Sequence, residues 1–409
     1  MGIFKKKLTT LDLTAYGIGL IVGAGIYVLI APTAQLLGNY MWLGFLLASI
    51  SIMLTGTSYI WLSKKFPDEA AEYFIIKKIF KSKFFSFIVG WFLLSAQIVG
   101  IAAVSIGFAD YIYPFLKMPK ILSALLVIIG SVLINLMGVK ETSKLNIVLT
   151  SIALLGLFVV ILGSIFVHPN LSFTWNYPIS NVFKASSLVF FAFLGFEGII
   201  NFAGETKKAS KAIPKALISS VLITSFIYML VAFSSTALVD YKTLSISPAP
   251  LSFAAYAAFG DIGFKFVAFS ALFSTASTVL ILSAIAPRVM WGMADDSQLP
   301  LVLSRVDPKG VPYVSTIIVG LIASIFVIIF QKIGIIAQIA NFNMLMVYTI
   351  FNMASLKINY TNRNNLKSFI SLLAFVSTLT LLVFLNVISI IVGIVGVVAS
   401  IVFYIIKRK

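Results

Sequence analysis

The chain has 409 residues, of which 60% are hydrophobic and 11% charged, with a mean hydropathy of +1.07. Soluble domains lie nearer about 45–50% apolar and about 25% charged, so this composition excludes a soluble globular protein and describes a polytopic membrane protein. A formal charge of +17 would suggest a nucleic-acid partner in a soluble chain, but here the basic residues fall between apolar runs, where they read as topology signals and contacts for the lipid bilayer.

Apolar runs of spanning length predict twelve transmembrane helices, at about 11–37, 42–63, 84–115, 121–139, 145–167, 182–204, 213–239, 263–294, 313–331, 333–356, 367–386 and 387–406. The last two are nearly continuous and are divided mainly by Asn386. The first run is too long for a signal-peptide core and has no small-residue cleavage site.

The first run carries the stretch Gly17–Leu29, with Gly23-Ala24-Gly25 at its centre. Glycine weakens a helix by about 1 kcal/mol relative to alanine. A freed backbone group in hydrocarbon costs several kcal/mol, so a break survives only where it lines a polar cavity or binds something. Such a break offers a half-helix N-terminus to a carboxylate and unwound carbonyls to a cation. The competing reading is a small-residue face, Gly19-xxx-Gly23, packed on a neighbouring helix. The spacing of Gly17, Gly19 and Gly23 and the lack of a preceding strand weigh against a dinucleotide loop.

With the N-terminus inside, only Lys117, Lys120, Lys184, Lys242, Lys265 and Lys332 of the 30 Lys and Arg fall on the outer side. That bias places both termini in the cytoplasm and the protein in the cell membrane. The inner connection Lys64–Lys83 reads as an amphipathic interfacial helix. The outer connection Asp240–Asp261 reads as an extended Pro248-Ala249-Pro250 entry into a short re-entrant helix.

The sixth run brackets Phe196-Glu197 between Gly195 and Gly198, and Glu197 is the only acidic residue deep in any predicted span. A carboxylate there marks an ion or substrate pathway by default, against the plainer reading of a protonated, hydrogen-bonded structural group. Glycine interruptions five spans apart imply two inverted five-span units, 10–168 and 182–356, with 367–406 outside them. Paired interruptions of that kind point to a secondary-transporter site at the midplane.

These residues resemble the amino acid–polyamine–organocation transporters. The first span is similar to their glycine signature at Gly23-Ala24-Gly25-Ile26-Tyr27, and the sixth to their FFAF-x-GF-[DE] stretch at Phe190–Glu197. Glu205-Thr206-Lys207, Ile213-Pro214, Phe66-Pro67, Tyr73, Gly90-Trp91, Ala294–Pro300 and Val311-Pro312-Tyr313 follow the family order. Departures are Ala70-Ala71 in place of a glycine pair, the missing Asn-Pro after Lys207, and Ser297 in the loop before the ninth span. The resemblance implies an all-α, LeuT-type fold with a 5+5 inverted repeat and broken first and sixth spans, and an amino acid in the central cavity.

The substrate's carboxylate is expected on the backbone of Ala24, Gly25 and Ile26, and its ammonium on carbonyls near Val22 and Phe191–Leu194. Gly23 and Gly195 complete this backbone frame, and Ile21, Phe191 and Leu194 form an apolar side-chain pocket suited to neutral amino acids. Ordinary helix packing is the alternative for those three side chains, and Glu197 leaves cationic amino acids or polyamines open. Proton coupling through Glu197 is the preferred reading. The alternatives are sodium at hydroxyls of Ser151 or Thr150 with Ser274, Thr275, Ser277 and Thr278, or uncoupled exchange. Hydroxyls in spans often bond back to their own helix instead.

No cofactor or metal is expected, since the chain has no Cys and one His, His168. That also argues against an embedded enzyme, and a channel would need a polar stripe or charge ring that the spans do not show.

Overall fold

A computed structural model describes residues 8–66, 72–137, 139–167 and 175–408. Pro67, Ala70, Ala71 and His168 lie outside the described residues. The helices are α1 (Thr10–Ile21), α2 (Ala24–Leu37), α3 (Trp42–Lys65), α4 (Glu72–Phe80) and α5 (Lys83–Leu116). Then come α6 (Lys120–Met137), α7 (Val139–Phe166), α8 (Ser180–Val189), α9 (Ala209–Leu238) and α10 (Tyr241–Ile246). The last five are α11 (Pro250–Asp295), α12 (Tyr313–Ile329), α13 (Ile333–Thr361), α14 (Asn365–Val383) and α15 (Val387–Arg408).

Among the described residues, ten helices are long and apolar enough to cross a membrane, and the bent pair α1 and α2 makes an eleventh. Helix α12, with 17 residues, is shorter. Extended pairing among the described residues is a single parallel bridge between Leu8 and Thr206, with Lys207 N–H donating to Leu8 C=O at 2.9 Å.

The helix faces show which solvent the fold is built for. Helix α6 buries Ser123, Ala124, Ile128, Ser131 and Asn135 while exposing Leu122, Leu126, Ile129 and Leu133. Those exposed residues recur every three to four positions, one face of a helix. Helix α14 does the same, with Ser371, Ala374 and Thr378 inward and Phe369, Val376 and Val383 outward. A small and polar interior under an apolar exterior suits lipid, where association rests on close packing and interhelical hydrogen bonds. Asn359 Nδ2 to Ser371 Oγ at 3.2 Å and Thr349 Oγ1 to Thr378 Oγ1 at 3.0 Å are two such bonds between α13 and α14.

Helix α4 packs one face on the helix bundle. Tyr73, Ile75 and Ile76 are buried where it packs on α5 and α13, and Lys77 Nζ meets both oxygens of Asp296, at 2.8 and 2.7 Å. The expected short re-entrant helix is the start of α11, which bends at Gly260 (φ +61°) before continuing to Asp295. Lys64 at the end of α3 and Lys77, paired with Asp296 of the α11 end, mark one end of the bundle, the basic face.

Candidate functional site

The first break is short. Helix α1 ends at Ile21, Val22 (ψ 91°) and Gly23 (φ −127°, ψ −152°) are extended, and α2 starts at Ala24, with a 48° bend across the two. The first turn of a helix has N–H groups with no intrahelical acceptor, and its dipole favours negative charge there. Ala24 N–H donates to Thr278 Oγ1 on α11 at 3.0 Å, while that hydroxyl donates to Ser274 C=O at 2.9 Å.

The second break is longer. Helix α8 ends at Val189, and the chain tightens into a 3-10 turn over Phe190–Phe193 and extends at Leu194 (ψ 142°). Gly195 has φ +106°, a region that strongly favours glycine. A Cβ there would also sit 2.8 Å from Leu20 C=O on α1. Tight 3-10 winding resumes over Phe196–Glu205.

Unwinding frees carbonyls that need donors in a dry interior. Asn341 on α13 donates through Nδ2 to Ser187 and Leu188 C=O at 2.7 and 3.0 Å. Tyr228 on α9 lies within reach of two carbonyls at once, Ile21 C=O at 2.9 Å and Ala192 C=O at 3.0 Å. One hydroxyl therefore bridges both breaks. The breaks also touch directly, since a Cβ on Gly25 would lie 2.4 Å from Ala192 Cα. The open side of Gly25 is thus occupied by the sixth-span backbone.

Glu197 turns back on its own break. Its Oε2 accepts Gly195 N–H at 3.2 Å and the Tyr348 hydroxyl, from α13, at 2.9 Å. A second carboxylate comes from outside the spans. Glu72 Oε1 accepts the Tyr59 hydroxyl at 3.3 Å. The Tyr59 ring stacks on Phe351 at 4.2 Å and meets Tyr348 edge-on at 5.7 Å. Burial pushes the Glu72 carboxyl above the usual carboxylate range, opposed by a backbone hydrogen bond and by Tyr59.

Both carboxylates line one cavity of about 1010 Å³. Its walls include Ile21, Val22, Gly23, Ala24, Gly25, Phe191, Leu194 and Gly195, whereas Ile26 is fully buried behind them. Ser277 and Thr278 line it, but Ser274 and Thr275 do not; Thr275 bonds back to Ala271 C=O at 2.8 Å. On α7, Ser151 is exposed and its neighbour Thr150 is buried, 3.4 Å from Ser277 Oγ. Gln97 on α5 brings an amide to the wall, its Oε1 buried without a hydrogen-bond donor.

The cavity runs to the basic face, where Lys64, Phe66, Ser210, Arg288 and Asp295 edge it. Along α2 its lining stops at Gly25. Beyond that, Tyr27 OH donates to Ala153 C=O at 2.5 Å and Tyr111 OH to Tyr27 C=O at 2.9 Å, closing the opposite side. Sequence reasoning missed Tyr228, Asn341, Tyr348 and Glu72. The one local signal was a lone Tyr or Asn within an apolar run, because a buried polar tip requires a partner.

A family model described as amino acid permease matches residues 8–406. The chain is 27% identical over 349 residues to a branched-chain amino acid permease of Bacillus subtilis, covering 78% of this chain and 74% of that one. It is 30% identical over 388 residues to cationic amino acid transporter 5 of Arabidopsis thaliana, covering 88% and 66%. It is 26% identical over 374 residues to a methylthioribose transporter of Bacillus subtilis, covering 85% and 80%. Among solved structures it resembles a mutant manganese transporter of Eremococcus coleocola, with a TM-score of 0.66 at 14% identity, covering 100% and 97%. At that identity the likeness shows the fold.

Proposed function

Because the chain belongs to the amino acid permease family, we propose that it is a proton-coupled symporter of neutral amino acids working by alternating access. It is an integral, multi-pass, nearly all-helical membrane protein of LeuT-type fold, a transporter and not an enzyme. Helix α12 is then the twelfth span, both termini are cytoplasmic, and 10–168 and 182–356 are inverted repeats with 367–406 appended. The basic face is then cytoplasmic, and the cavity is open inward.

One observation carries this reading: Glu197 lies inside the second helix break, in the same cavity as the first break. Backbone groups at a break recognise the amino-acid head and leave side chains to select. Thr278 holds Ala24 N–H, so the substrate's carboxylate is left the N–H of Gly25, the last α2 residue that lines the cavity. Tyr228 reaches the Ile21 and Ala192 carbonyls, so the ammonium turns to Val22 and the rest of the Phe191–Leu194 turn. Phe191, Leu194, Ile281 and Leu282 give the cavity an apolar wall, which supports a neutral substrate. The Thr278 hydroxyl donates its proton to Ser274 and accepts from Ala24, which argues against a sodium site there.

Counterflow in proteoliposomes with a panel of labelled amino acids tests substrate class. Neutral apolar amino acids should exchange, and Phe191→Ala should change their order of preference. Exchange of cationic amino acids alone would overturn the neutral assignment.

A further inference from the structure

We propose that Glu72 is a second acid of the transport site, which accepts the proton carried by Glu197 and passes it to water at the basic face. The inference rests on the proton-coupled reading and adds the step by which the proton leaves.

Four elements converge to make the cluster. Helix α3 supplies Tyr59, α4 supplies Glu72, the second break supplies Glu197 and α13 supplies Tyr348. Each carboxylate holds one tyrosine hydroxyl, at 3.3 Å for Glu72 and 2.9 Å for Glu197, and the two tyrosine rings are in edge contact. Both acids line the same cavity, so water within it can link them.

Two carboxylates lining one cavity repel each other, so a proton on one favours ionisation of the other. Among the described residues, the other charged groups lining the cavity are Lys64, Arg288, Asp295 and Asp296. Asp296 holds Lys77 of α4 at 2.7 Å, which keeps that ammonium directed at α11. Arg288 donates to Ala284 C=O on its own helix. Tyr73 is the remaining phenol on α4 that faces the cavity, and α5 contributes the neutral Gln97. On α13, Lys357 sits over the Phe80 ring at 4.8 Å, at the other end of α4 from Glu72.

The transfer balances simply. Glu197 gives up its proton and returns to carboxylate as Glu72 becomes the acid. Glu72 then releases that proton to water or buffer. Glu72 lines the same cavity that Lys64 and Asp295 edge, so water there can take the proton from it.

The test uses the full chain in sodium-free proteoliposomes with the basic face inward. Initial uptake driven by an imposed pH gradient is measured while lumenal and external pH are shifted together at a constant pH difference, and counterflow is measured in parallel. Burial raises the folded Glu72 carboxyl, so wild-type uptake should fall as lumenal pH drops through a midpoint above the ordinary carboxylate range. Glu72→Gln keeps an acceptor for Tyr59 but cannot take a proton. It should lose the lumenal-pH dependence and reduce gradient-driven uptake relative to counterflow by about a hundredfold, the lower end for a positioned proton acceptor. Glu72→Asp should keep the dependence. A wild-type lumenal profile in Glu72→Gln, with Glu197→Gln uncoupled, would overturn the role of Glu72 while leaving proton coupling intact. Equal loss in the Asp and Gln variants would also overturn it. Wild-type uptake that ignores the gradient would instead bring down the coupling reading on which it rests.

Discussion

Gly25 and Tyr228 join the two breaks by opposite means, absence of a side chain and presence of a hydroxyl. A methyl at position 25 would lie 2.4 Å from Ala192 Cα, and overpacking of that kind costs about 1–3 kcal/mol. Gly25→Ala should therefore push the breaks apart and abolish counterflow. Gly19→Ala serves as the control, since its nearest neighbour would be a Thr150 methyl at 3.6 Å, and it should transport normally. Tyr228→Phe removes the hydroxyl that serves two buried carbonyls. An unsatisfied buried group costs about 1–3 kcal/mol, so both the thermal midpoint in detergent and the substrate affinity should fall. An unchanged midpoint and affinity would show that water replaces the hydroxyl.

At the scale of elements, α4 is held by a buried apolar face and by one partly exposed ion pair. Its Lys77–Asp296 pair is only about a third exposed on each side, and such a pair is worth about 0–1 kcal/mol after screening. Lys77→Met should leave global stability nearly unchanged yet speed hydrogen exchange at α4 amides, because local opening follows local contacts. Equal protection of α4 in both proteins would mean that its apolar face alone fixes it. The same helix marks a limit of the sequence reading. Gly23, Gly25 and Glu197 stand out because glycine and a carboxylate are anomalous within an apolar run. Glu72 lies in an amphipathic loop segment, where an acid is ordinary, and only tertiary packing brings it to Tyr59. Tyr228 and Ile21 are likewise 207 residues apart in sequence. Ser151 and Thr150 differ by one residue, about 100° around a helix, and the structure turns Thr150 inward. Most of the long apolar helices were legible, whereas short helices such as α10, helix phase and partner choice depend on contacts that no single segment encodes.

Among the described residues, apolar side chains face outward around a core that also buries polar groups, and the cavity lined by both breaks reaches the basic face. Because the chain has no Cys, single introduced thiols report sidedness without background. Ser210→Cys, at the cavity edge, should react with a membrane-impermeant maleimide from the cytoplasmic side. Asn176→Cys, exposed next to Trp175, should react from the outside. The reverse pattern would invert the topology and turn the cavity outward. Substrate added to Ser210→Cys should slow labelling, as expected if the molecule fills or closes the cavity.

Gradient-driven uptake measures the coupling claim at Glu197 most directly. Wild type and Glu197→Gln are compared in sodium-free proteoliposomes under an imposed inward proton gradient, with labelled neutral amino acid outside. Wild type should accumulate substrate above equilibrium and stop when the gradient is collapsed, whereas Glu197→Gln should equilibrate substrate without concentrating it. Accumulation in both proteins, or in neither, would contradict a proton-carrying Glu197.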